Sequence, residues 1–111
     1  MLTITSKLQL DYMQKQKHDL EFEMTVNTNY MNMYTDMLGL VVSDCEKEGY
    51  TAEEAKDTPV YKEIDAAATA YEERNDQIDV ELELLNEEIQ SFEKYHENGI
   101  KSDTSFWCFG G

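Results

Sequence analysis

Helix breakers are scarce in this sequence. Its one proline is Pro59, and its five glycines stand at 39, 49, 99, 110 and 111. No glycine falls between Gly49 and Gly99, so long helices are permitted on both sides of the middle. Cysteine is nearly as rare. Cys45 and Cys108 have neither CxxC spacing nor a neighbouring His, which excludes a zinc site of ordinary spacing, and two are too few for a disulfide framework. Reduced thiols are the expectation. The basic residues number 9 against 24 Asp and Glu, a net charge of −15. Such a chain cannot grip phosphates through clustered Lys and Arg, so direct nucleic-acid binding and adhesion to an anionic membrane are both set aside. No apolar run reaches the roughly 18 to 20 residues that membrane insertion needs. The opening Met1-Leu-Thr-Ile-Thr-Ser6 carries no basic segment followed by an apolar one, so cytoplasmic synthesis without a cleaved signal is expected.

What the sequence does contain is helical periodicity. Ser6 with Gln9 and Thr51 with Glu54 have capping-box spacing, and Thr58-Pro59 reads as a cap followed by a first-turn proline. Asn98-Gly99 reads as a stop. The single domain is therefore expected to comprise helix one over residues 6–43, a bend over 44–58 with a helical turn near 52–57, helix two over 59–97, and a tail over 98–111. In helix one Leu10, Met13, Lys17, Leu20, Met24, Asn27, Met31, Tyr34, Leu38 and Val41 follow alternating steps of three and four. Tyr61, Ile64, Ala68, Tyr71, Asn75, Ile78, Leu82, Leu85, Ile89 and Phe92 do the same in helix two. A repeat kept this strictly predicts coiled-coil seams rather than bland amphipathic helices.

The seams fit one another if the chain folds back near residue 51, so that facing positions sum to 102. Met24 then meets Ile78, Met31 meets Tyr71 and Leu20 meets Leu82. The polar layer pairs Asn27 with Asn75, a device that fixes register at some cost in stability. Lys17 against Leu85 is the one misfit, and its stem can lie along the seam. The predicted fold is an all-α antiparallel coiled-coil hairpin.

One seam buries little area for so many ordered residues. Helix one also carries a second apolar stripe, Phe22, Val26, Tyr30, Met33, Met37 and Leu40, and helix two a shorter one in Ala66, Ala70, Val80 and Leu84. A third element of the chain or another subunit has to cover a patch of that length. The expectation is a homo-oligomer or an obligate protein partner, completing a helical bundle by association. Phe106, Trp107 and Phe109 are expected to anchor the tail, on the open end of the hairpin or on a neighbour.

Chemistry is thinly supplied. Glu93-x-x-His96 has the spacing used in di-iron bundles, but a full site wants two such motifs and two further Glu. A solvated His is the commoner explanation, and His18 likewise reads as a surface residue. No nucleophile stands near either His, no glycine-rich loop exists to hold phosphate, and the acidic run 76–83 lacks the central glycine of a calcium loop. No enzyme activity, cofactor or metal is predicted.

The charge is unevenly placed. Residues 1–42 hold three Lys against five Asp and Glu, so the remainder of the chain carries −13. Glu72, Glu73, Asp76, Asp79, Glu83 and Glu87 lie in a stretch, 71–97, whose only cations are Arg74 and Lys94. A solvated outer face explains this simply. The sharper alternative is an acidic interaction or inhibitor protein that meets a basic partner, as a nucleic-acid mimic does, or an acidic secretion chaperone or adaptor.

A short polar lead, a long helix, a bend with Pro59, a long acidic helix and an aromatic end together resemble the small helical-hairpin subunits of secretion-needle and flagellar-rod assemblies. The likeness is one of layout and carries no diagnostic motif. This chain is more acidic, and its aromatic end is bulkier. It implies a non-enzymatic structural subunit that self-assembles, with export that needs no cleaved signal.

Overall fold

The computed structural model describes the backbone of residues 2–110 and the side chains of residues 4–95. The chain is all-α, a helical hairpin with no strand among the described residues. It consists of α1 (Leu2–Lys47), α2 (Ala52–Lys56) and α3 (Pro59–Gly110).

The bend is built from local signals. Gly49 takes φ +91°, the Tyr50 amide donates to the Cys45 carbonyl at 3.0 Å, and the Gly49 amide donates to Glu46 at 3.0 Å. This is the double closure of a Schellman turn, and its left-handed residue is the one glycine in the region. Thr51 then opens α2 with a complete capping box: its hydroxyl accepts from the Glu54 amide, and its own amide donates to the Glu54 carboxylate, both at 3.1 Å. Thr58 caps α3 with its hydroxyl alone. Its hydroxyl accepts from the Tyr61 amide at 3.3 Å and donates to the Ala55 carbonyl at 2.6 Å, leaving Pro59 in the first turn, where its missing N–H costs nothing. Ala55 is fully buried beneath this corner.

The helices are longer than the caps predict. α1 begins at Leu2, so Ser6 lies inside it, buried, instead of capping it. It runs on past residue 43 to Lys47, because nothing between Ser43 and Lys47 breaks a helix and the stop is set by Gly49. α3 continues through Asn98-Gly99, and residues 98–110 are helical rather than a separate tail. Asn and Gly inside a helix cost only about 0.5 to 1 kcal/mol each relative to Ala, so the pair permits a stop without imposing one. The side chains of His96, Phe106, Trp107, Cys108 and Phe109 lie outside the described residues.

The contacts of the chain fall into two compact units, one joining Met1–Glu21 to Asp79–Gly111 and the other comprising Phe22–Ile78. In Phe22–Ile78 the seam residues of α1 and α3 are half-buried or buried, with Ile78 at 0% exposure. Tyr71 stacks against both Tyr30 and Tyr34, at centroid distances of 5.3 and 6.0 Å. In the other unit Leu85 and Ile89 are buried, and Leu10, Met13, Leu20, Leu82 and Phe92 are half-buried, as is Lys17. Among the described residues, Ala55, Ile78, Leu85 and Ile89 are the only buried apolar side chains. Among the described residues each seam is a single layer, with no second layer over it.

Candidate functional site

The Phe22–Ile78 unit contains the most specific side-chain arrangement. Asn27 is 5% exposed and Asn75 half-buried, both inside the contact of α1 with α3. Asn75 reaches the turn of α1 that carries Asn27: its Nδ2 donates to Thr28 Oγ1 at 3.1 Å and approaches the Met24 carbonyl at 3.4 Å and Met31 Sδ at 3.8 Å. Thr28 in turn donates to Met24 O at 2.9 Å. The two asparagines do not bond each other. Asn27 Nδ2, a donor, and Asn75 Oδ1, an acceptor, are both buried without a hydrogen-bond partner.

One turn away, Arg74 crosses to Glu23. Its Nε donates at 2.6 Å to one carboxylate oxygen and its Nη2 at 3.0 Å to the other. Those hydrogen bonds hold the Glu23 carboxyl below its ordinary value. Desolvation acts the other way, while the Arg74 charge adds to the lowering. The Asn27 amide, near Glu23 but outside hydrogen-bond geometry, contributes least. Sequence periodicity did not reveal this pair. The available signal was that Arg74 is one of two cations in 71–97 and stands beside a seam position.

The second stripe of α1 is uncovered. Phe22 is 71% and Leu40 63% exposed; Tyr30, Met33 and Met37 are also exposed, and Val26 is half-buried. Ala66, Ala70, Val80 and Leu84 on α3 are exposed as well. Tyr30 has a double position, on the stripe and stacked on Tyr71. Between positions 24 and 43 the only charged residue is Asp36, so the stripe from Val26 to Leu40 sits on the least charged length of the molecule, while Phe22 stands between Glu21 and Glu23.

The six carboxylates singled out on α3 are all exposed, with Glu72, Glu73 and Asp76 in one unit and Asp79, Glu83 and Glu87 in the other. Among the described residues no three His, Cys, Asp or Glu side chains converge as a metal site, and no helix is long and apolar enough to cross a membrane. His18 is an exposed neighbour of Glu21, at 3.6 Å. Cys45 is a free, half-buried thiol. No known family, no curated protein and no solved structure matches this chain.

Proposed function

We propose that this protein is a non-enzymatic structural subunit that self-associates through the outer stripe of α1. The observation that carries the reading is the exposed row Phe22, Tyr30, Met33, Met37 and Leu40, longer than a monomer keeps in water. Charge supports the same face. Two molecules of −15 repel wherever acidic surfaces meet, and the stretch 24–43, with Asp36 as its only charge, is where two copies approach at least cost. Methionines at 33 and 37 suit a contact that must adapt to its neighbour. An assembly of the secretion-needle type that the layout resembles would leave the cell without a cleaved signal.

Sedimentation equilibrium in moderate salt tests the proposal. The expected result is a reversible oligomer that Phe22→Glu with Met37→Glu dissociates while helicity by circular dichroism is retained. Tyr30 is the poorer choice for substitution, because its ring also belongs to the stack on Tyr71. A monomer at every concentration overturns the reading.

The exposure of all six α3 carboxylates favours a second reading, an acidic protein that recruits a basic partner. Charge reversal along 72–87 should then abolish a partner complex that also weakens steeply with salt, and it should leave self-association intact.

A further inference from the structure

The unit formed by Met1–Glu21 and Asp79–Gly111 holds two features of complementary chemistry. The first is a shallow groove between α1 and α3, two adjoining depressions of about 590 and 420 Å³ that share Leu84 and Glu88. Met13, Leu20, Leu84 and Phe92 give it an apolar floor, and Leu84 is 55% exposed there. Glu87 and Glu88 form its α3 rim. Asp19, on the α1 side, is already engaged by Lys15 at 3.1 Å. From Asp79 to Glu93 every charged residue of α3 is acidic.

The second feature is the outer face of α1 near its start. Ile4, Leu8 and Tyr12 recur every four residues and all are largely exposed. Lys7 and Lys15 border them, and residues 4–17 hold three Lys against one Asp, the one stretch of the described helices with a clear positive balance. The dimensions agree. Ile4 to Tyr12 and Leu84 to Phe92 each cover eight residue steps, about 12 Å of helix.

We propose that the groove of one copy receives the Ile4, Leu8 and Tyr12 face of a second copy, with Lys7 and Lys15 meeting Glu87 and Glu88; Lys15 exchanges its exposed surface pair with Asp19 for this contact. A helix is the form that fits, because the cleft between two packed helices seats a third by ridges and grooves and presents no open backbone edge for a strand. The contact joins different patches of the two partners. It is therefore separate from the Phe22 stripe, and two separate contacts on one subunit let an assembly grow beyond a pair. The proposal rests on the self-association reading in taking a second copy as occupant.

A charge swap in the full-length chain tests it. Lys7→Glu with Lys15→Glu, and separately Glu87→Lys with Glu88→Lys, should each lose the larger species in sedimentation velocity while remaining helical. An equimolar mixture of the two variants should regain those species, since the reversed charges then face each other. No loss in either variant, or loss without recovery on mixing, overturns the proposal. In either case dissociation by Phe22→Glu with Met37→Glu leaves the stripe reading standing. A wild-type chain that is monomeric throughout overturns both.

Discussion

Arg74 and Glu23, 51 residues apart in the chain, meet in a two-pronged ion pair, Nε and Nη2 each on its own carboxylate oxygen, at 2.6 and 3.0 Å. Both side chains keep more than a third of their surface in water, so solvent screens the pair and its contribution is modest. Arg74→Ala should cost about 0.5 to 1 kcal/mol in urea denaturation at neutral pH. Glu23 has its pKa lowered in the folded chain, so its contribution is fully present above the ordinary carboxylate value and fades as pH falls through the lowered one. Glu23→Gln should therefore match Arg74→Ala at pH 7 and converge on wild type in acid. A Glu23→Gln deficit that does not shrink as the pH falls through the acid range would contradict the assignment.

The buried amides give the opposite sign. Asn27 Nδ2 finds no hydrogen bond and Asn75 Oδ1 already lacks a partner, so Asn27→Leu removes an unsatisfied donor and loses only the weak support that the amide lends the Glu23 carboxylate. A gain of about 1 to 2 kcal/mol is expected. The accompanying loss is in register, read as additional cross-linked products between cysteines placed along α1 and α3. A destabilised Asn27→Leu chain would show that the polar layer is satisfied after all.

Core and surface should separate cleanly on α3. Ile78 is fully buried, so Ile78→Ala leaves a cavity and costs about 2 to 4 kcal/mol. Val80, two residues on, is 57% exposed, and Val80→Ala should stay within about 0.5 kcal/mol. Equal effects in chemical denaturation would contradict the seam.

The two described glycines make a second contrast. Neither would bring an added methyl within 4 Å of another atom, so conformation alone decides the outcome. At Gly49, with φ +91°, Gly49→Ala costs about 1 kcal/mol or more. At Gly39, inside α1, Gly39→Ala gains about 0.5 to 1 kcal/mol. Thermal midpoints measured side by side should move in opposite directions.

The hairpin was legible because its signals are local and redundant. A heptad stripe holds for more than four heptads in each helix, and the corner residues Thr51, Thr58 and Pro59 each have one dominant structural use. The ends of the helices were not legible. A cap-like residue such as Ser6, or a Gly such as Gly99, lowers helix stability by less than neighbouring contacts can restore, so spacing alone overstates it. The Arg74 and Glu23 pair escaped notice because charged residues beside a seam obey no period. The pattern put Asn27 and Asn75 in one layer, but hydrogen-bond directions depend on side-chain rotation: Asn75 turns to Thr28 and Met24 instead. The Ile4, Leu8 and Tyr12 face is not legible from the seam pattern, because it lies on the other side of the same turns and comprises only three residues.

The corner from Lys47 to Pro59 has a kinetic consequence. Its hydrogen bonds all join residues five or fewer positions apart, so it can close before any distant contact forms. Within Phe22–Ile78, each layer outward from it then closes a loop only slightly longer than the last. Since closure entropy grows slowly with loop length, this unit should fold like a zipper from the corner, quickly for its size. Arg74 and Glu23 lie near its outer end and join late, so substitutions there should speed unfolding while leaving the folding rate almost unchanged.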